Sequence, residues 1–211
     1  PAQADMYLGK TLARLERHAR AAGIDLSAPC RLGGAWLPSL ERIARIAASA
    51  IPDRDAGADT LVHGDFCFSN ILFDIRSQRV RAIDPRGLDA DDRFDTFGDI
   101  RYDIGKLHHS AVGCYDFVVA GAYSLDRYGP LDFALSLPDT ESTRGVRDAF
   151  LARGFAGMAT ADAGALPISI LLFLSMLPLH ADDPTRQTAL TANAMRLFLE
   201  LDRGRPGGAP A

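Results

Sequence analysis

His63-Gly64-Asp65-Phe66-Cys67-Phe68-Ser69-Asn70 has the form H-x-D-x-x-x-x-N, and its reading decides that of the whole chain. A chance match in a chain of this length has odds on the order of one in a hundred. The flanking residues strengthen it. Thr60–Val62 is a short extended run into the histidine. Asn70–Ile75 (NILFDI) reads as a strand, Arg76–Gln78 as a polar turn, and Arg79–Ile83 as a second strand that ends at Asp84-Pro85. A β-hairpin therefore follows the H-x-D segment directly and returns the chain so that Asp84 faces Asp65 and Asn70.

Two carboxylates and an amide oxygen so grouped suit phosphoryl transfer. The γ-phosphoryl group passes between two oxygens with little covalent help, so catalysis is positioning plus neutralisation of charge. One carboxylate accepts the hydrogen bond, and then the proton, of the attacking hydroxyl. The amide oxygen and the second carboxylate hold Mg²⁺, which takes few protein ligands and leaves its other positions to water and phosphate.

Outside this segment the pattern is mainly helical. Tyr7–Ala22 carries Leu8, Leu12, Leu15 and Ala19 at helical spacing and stops at Gly23; Pro38–Ala50 repeats the pattern with Leu40, Ile43, Ala44 and Ala47. Asp99–His109 reads as a helix that Asp99 caps. Thr140–Met158, Ala165–Leu177 and Pro184–Leu201 read as three more, the last opened by Asp183-Pro184. Asp116–Leu137 holds two apolar runs about Tyr128-Gly129-Pro130 that fit either a second hairpin or a helix followed by a strand. The expected class is α+β and mostly helical.

Composition bounds the function. The 211 residues include 23 basic and 27 acidic ones, a net charge of −4, with 47% hydrophobic and 24% charged. That is ordinary for a globular domain and excludes disorder, collagen and coiled coil as descriptions of the whole chain. No basic field exists to meet nucleic-acid phosphates, so no nucleic-acid partner is expected. Cys30, Cys67 and Cys114 are widely spaced and odd in number, which suggests neither a disulfide framework nor a zinc site, and a reducing cytoplasm is the expected compartment. The apolar stretch Ala165–Leu179 falls short of the ~20 residues of a membrane span and holds Pro167 and Pro178, so no membrane partner is expected either.

HGDFCFSNILFD, then RAIDPRG, then GDIRYDIGKL resembles the aminoglycoside phosphotransferase and choline kinase group of protein-kinase-like enzymes, over residues 60–110. The resemblance implies a protein-kinase-like C-terminal lobe whose small β-hairpin carries the catalytic loop and metal site. It implies Asp65 as the catalytic base, Asn70 and Asp84 as ligands of Mg²⁺, and ATP as the phosphoryl donor. It implies His63 as a scaffold residue of the loop and Asp99 as a hydrogen-bond acceptor for the loop backbone, compatible with its capping a helix. Asp84 is followed by Pro85-Arg86-Gly87 where protein kinases have Phe-Gly, and Arg86 becomes a candidate contact to phosphate or substrate.

Residues 1–62 lack the Gly-rich hairpin and strand lysine of a nucleotide lobe, and the two lysines of the chain, Lys10 and Lys106, are not placed for that task. The expectation is that residues 1–203 form the catalytic and substrate-binding lobe, with a disordered tail at 204–211 and an N-terminal lobe supplied by the parent chain. Alone, such a lobe should be nearly inactive. Its expected partner is a small hydroxyl acceptor: a sugar, amino sugar, aminoglycoside or amino alcohol. A homodimer is one way to cover the face the other lobe would occupy. The alternative is a non-catalytic, kinase-like binding module.

Weaker features take plain readings. Asp89, Asp91, Asp92 and Asp95 form a solvated loop, though an acidic rim would favour a cationic acceptor. Gly33-Gly34 and Gly105-Lys106 do not make a phosphate loop, because no GxxxxGK[ST] surrounds them. Cys67 reads as a packed small hydrophobe, His108-His109 as a non-ligating pair, and His180 and Asp182 as a loop between helices.

Overall fold

A computed structural model describes residues 2–53, 59–87 and 95–204 of the chain. In chain order, α1 (Ala2–Ala22) is followed by β1 (Cys30–Leu32), β2 (Ala35–Leu37) and α2 (Leu40–Ser49); then come β3 (Thr60–Leu61), β4 (Ile71–Asp74), β5 (Arg79–Ala82), β6 (Phe97–Gly98), α3 (Ile100–Ala111) and α4 (Tyr115–Val119). The C-terminal half holds β7 (Ser124–Gly129), β8 (Asp132–Ser136), α5 (Glu141–Leu151), β9 (Gly154–Phe155), β10 (Met158–Ala159), α6 (Ala165–Met176) and α7 (Pro184–Arg203). The class is mixed α and β with helices predominant.

Helix α6 is the axis of the core. It is apolar all round, as a helix enclosed on every side must be, and eleven of its residues from Ala165 to Met176 are buried. Helices α1, α2, α3 and α7 pack around it. Pro167 lies in its first turn, where a missing N–H costs nothing. No helix among the described residues is long and apolar enough to cross a membrane.

Local chemistry sets the helix ends. Gly23 adopts φ +66 past the end of α1, where Ile24 N–H reaches back to Ala19 O at 3.0 Å. Ser39 caps α2 and Asp183 caps α7 through Thr185 N and Arg186 N, both 3.0 Å. Helix α2 buries Leu40, Ile43, Ala44 and Ala47, the expected stripe, and Pro38 stays outside it.

The sheet departs from expectation. Strands β1 and β2 form an antiparallel hairpin about Gly33-Gly34, with φ of 55 and 88, the two positive values a tight two-residue turn requires. Strand β1 pairs in parallel with β8, giving a four-stranded sheet of order β2-β1-β8-β7. The region 116–137 contains both of its alternatives, a short helix α4 and then the hairpin β7–β8. Helix α5 ends at Leu151, not Met158, because Ala156 and Gly157, at φ 51 and 79, turn the chain into the small hairpin β9–β10. The acidic residues Asp89, Asp91 and Asp92 and the tail 205–211 lie outside the described residues; Asp95 accepts from Phe97 N–H at 2.8 Å.

Gly105 shows how closely α3 approaches α6. A Cβ built there would overlap Ile168 Cγ2, and Ile168 is wholly buried. Gly105→Ala should gain about 1 kcal/mol of helix propensity and lose more to overpacking, for a net destabilisation of about 1–2 kcal/mol. Urea unfolding measures it, and a variant as stable as wild type would show that the two helices can part.

Candidate active site

The H-x-D segment runs from β3 into a 3-10 turn, Phe68–Asn70, and then into β4. Its backbone is held from α3. The Asp103 carboxylate accepts from His63 N–H at 2.6 Å and from Gly64 N–H at 2.8 Å, and Ser110 Oγ accepts from Phe68 N–H at 3.1 Å. Between them, Lys106 Nζ sits 2.7 Å from Asp65 Oδ1. Asp103, Lys106 and Ser110 are spaced i, i+3, i+7, so one helical face serves the whole loop.

Asp65 is thus gripped on both oxygens. Lys106 takes Oδ1, and Asn70 Nδ2 donates to Oδ2 at 3.1 Å and to the Asp65 carbonyl at 2.9 Å. The Asp65 side chain keeps 39% exposure while that of Lys106 keeps 14%, so the carboxylate is open to a ligand and its cation is not. Burial works against the Lys106 ammonium, but neighbouring Tyr102 and Asp65 outweigh it and hold its pKa above the ordinary lysine value.

His63 braces the loop against the hairpin. Its Nε2 lies 2.9 Å from the Ile83 carbonyl, and Nδ1 accepts from Asp65 N–H at 3.3 Å, an assignment that makes the ring neutral with the proton on Nε2. Ile83 N–H donates to Asn70 O at 2.9 Å, and β4 pairs with β5 in the register Ile71↔Ala82. Asp84 therefore follows the residue opposite Asn70. It is exposed and adopts φ 56, a left-handed conformation that aspartate tolerates better than most residues. Arg86 N–H donates to His63 O at 2.8 Å, and the Arg86 side chain lies over Gly64, where a Cβ would come 2.8 Å from Arg86 Cβ. Gly64, at φ +77, has both the space and the dihedral reasons to be glycine.

Of the two compatible roles expected of Asp99, the structure shows the cap. It caps α3, accepting from Arg101 N–H at 3.0 Å, and forms a buried ion pair with the Arg101 guanidinium at 2.8 Å. The carboxylate that takes the loop N–H groups is Asp103, one helical turn on. Burial raises the pKa of Asp103, a trend the His63 and Gly64 N–H groups oppose without cancelling. Adjacency in GDIRYDIGKL does not disclose Asp103 and Lys106 as site residues; the helical phase of that segment carries the signal. Cys67 is buried, with Sγ 3.2 Å from Ser69 Oγ. His180 and Asp182 are both tied to Arg186 of α7, at 3.4 and 3.1 Å.

The donor set fits Mg²⁺. With Nδ2 of Asn70 committed to Asp65, its Oδ1 is left as an acceptor, and the exposed Asp84 follows Ile83, whose N–H donates to the Asn70 carbonyl. Among the described residues no cluster of three or more His, Cys, Asp or Glu could hold a metal, and a cation bound by one carboxylate, one amide oxygen and substrate phosphates needs no such cluster.

A family model described as "Phosphotransferase enzyme family" matches residues 2–116, more than half of the chain, which takes in α1, the H-x-D loop, the hairpin β4–β5 and α3. No curated protein and no solved structure matches the chain. The chain belongs to the phosphotransferase enzyme family.

Proposed function

We propose that this chain is the catalytic and acceptor-binding lobe of an ATP- and Mg²⁺-dependent kinase that phosphorylates a hydroxyl of a small molecule: a sugar, amino sugar, aminoglycoside or amino alcohol. The observation that carries the reading is the accessible Asp65 carboxylate, oriented by Lys106 and Asn70 on a loop whose backbone Asp103 fixes.

Asp65 accepts the hydrogen bond of the acceptor hydroxyl. As that oxygen bonds to the γ-phosphorus of ATP, its proton passes to Asp65, the bond from the γ-phosphorus to the β–γ bridging oxygen breaks, and ADP leaves. Lys106 holds one carboxylate oxygen so that the other is presented in a fixed direction, which is the positioning such a reaction rewards. Asn70 and Asp84 would hold Mg²⁺, which when bound neutralises charge on the phosphate oxygens. His63 and Asp103 act through the backbone they brace.

A nucleotide lobe would be contributed by sequence outside these 211 residues. Two features support that part of the reading. Lys10 and Lys106 both lie on helices, so neither can be a strand lysine holding the α- and β-phosphates. The hairpin β4–β5 also exposes Leu72, Phe73, Ile75 and Val80, an apolar surface of the kind a second lobe covers.

The test is transfer of γ-phosphate from Mg²⁺-ATP to a panel of polyols, hydroxy acids, sugar phosphates, amino sugars and amino alcohols by the protein expressed from its full reading frame. A phosphate ester made by wild type and lost in Asp84→Ala is the expected result. No ester with any acceptor, together with no heat of Mg²⁺-ATP binding at millimolar concentration, overturns the reading and leaves a binding module.

A further inference from the structure

The side of the site formed by α1 is cationic. Helix α1 meets α3 where Tyr7 stacks on Tyr102, with ring centroids 6.1 Å apart. One and two turns beyond Tyr7 on the same face stand Lys10 and Arg14, and one turn beyond Tyr102 stands Lys106. Arg14 Nη1 donates to the Ser175 carbonyl at 3.2 Å, which fixes the guanidinium at the end of α6. Arg86 reaches the same region from the hairpin, with its side chain lying over Gly64 next to Asp65.

These charges are unevenly balanced. Lys106 is neutralised by Asp65, and Asp103 is committed to the loop N–H groups. Among the described residues Lys10, Arg14 and Arg86 have no carboxylate within ion-pair distance. Partial burial, then the charges of Arg86, Arg14 and Lys106, pull the Lys10 ammonium down to about 8. Burial, then Arg17 and Arg86, likewise lower Arg14 against the opposing effect of Tyr102. Like charges held together repel one another and are relieved by an anion.

Resting on the reading of Asp65 as the residue that meets the acceptor hydroxyl, we propose that Lys10, Arg14 and Arg86 bind an anionic group, a carboxylate or a phosphate monoester, carried by the acceptor molecule. The acceptor is then a hydroxy acid or a sugar phosphate, placed with its anion toward α1 and its hydroxyl on Asp65. The nucleotide is the other source of phosphate oxygens, and the experiment separates the two.

The protein expressed from its full reading frame is compared with Lys10→Gln and Arg14→Gln. Lys10 is exposed, so its replacement leaves the fold intact. Inorganic phosphate, titrated by calorimetry, should bind saturably to wild type, bind at least tenfold more weakly to either variant, and weaken as pH rises through about 8, where Lys10 loses its proton. In the transfer assay, paired acceptors sharing a hydroxyl (glycerol and glycerol phosphate, a hexose and its uronic acid) should show at least a tenfold preference in kcat/KM for the charged member. Lys10→Gln should abolish that preference and leave the KM for ATP within twofold.

Phosphate binding that is absent, or indifferent to both substitutions, overturns the proposal. So does a rise in the KM for ATP with the acceptor preference unchanged, which would assign the cations to the nucleotide. Asp65→Asn should retain phosphate binding. Phosphate that binds as expected in a protein that transfers to no acceptor leaves the anion site standing and removes the reading of Asp65.

Discussion

Asp65→Asn should lower kcat for phosphoryl transfer by about 10²–10⁴-fold, the range a positioned general base supplies. The substitution keeps the shape of the side chain and removes its capacity to take a proton. The loop should hold its course, because the bonds that fix it run from Asp103 to His63 and Gly64 and from Ser110 to Phe68, and none of them involves the Asp65 side chain. The KM for ATP should therefore change little. Lys106→Met should also lower kcat, by a smaller factor, since it frees the carboxylate to rotate without deleting it. The double variant should be no slower than Asp65→Asn alone, because two residues acting through one carboxylate are not additive. Steady-state kinetics on the four proteins decide the matter. Activity of Asp65→Asn within threefold of wild type would remove Asp65 from the chemistry, and additive losses would give Lys106 a role of its own.

How the sequence discloses this site depends on distance along the chain. The H-x-D loop, the strands β4 and β5 and the caps Ser39, Asp99 and Asp183 are local patterns, and each lies where its neighbours in sequence put it. The four-stranded sheet is not local. Its parallel pair joins Arg31 to Asp132, across some hundred residues, and no periodicity within a three-residue strand can announce such a partner. The turn that opens it is local: Gly33-Gly34 between Cys30–Leu32 and Ala35–Leu37 is a two-residue hairpin signal, and the same glycine pair also resembles a fragment of a phosphate loop, which masks it. The exchange of Asp99 for Asp103 has a related cause. Both are acidic, and both follow the loop by a similar length of chain. Only the phase of α3 decides which carboxylate turns inward to the loop and which pairs with Arg101. Lys106 and Ser110 share that phase with Asp103. A polar residue recurring at 103, 106 and 110 on a helix otherwise rich in buried residues is therefore a detectable mark of a face that serves a buried loop.

Two buried histidines of α3 set the acid limit of the fold, and stability should fall by about 3 kcal/mol between pH 6.5 and pH 5 through them alone. His108 and His109 are 3% and 0% exposed. His109 lies between Tyr115 and Phe173, at 4.3 and 4.0 Å between centroids, and neither of its ring nitrogens finds a hydrogen-bond partner among the described residues. Burial, reinforced by Arg196 and Arg147, pulls His108 down to about 3. Burial, reinforced by Lys106, His108 and His180, carries His109 far below its ordinary value. Because both folded pKa values lie below the unfolded one of about 6.5, the unfolded chain binds protons the folded chain refuses. The stabilisation is complete well above that pH and is lost as pH falls toward the folded values, with a slope that steepens to about 1.4 kcal/mol per pH unit for each ring. Buried Asp103, with its pKa raised, acts in the opposite direction, and only where carboxylates titrate. Replacing His109 by Phe should remove one proton from the slope and cost little at pH 7, since an apolar ring of similar breadth enters an aromatic slot and no hydrogen bond is broken. Urea unfolding of wild type and His109→Phe across pH 7 to 5 measures both slopes. Parallel lines would mean that His109 is reached by solvent or by a proton acceptor, and would contradict its placement in a dry aromatic core.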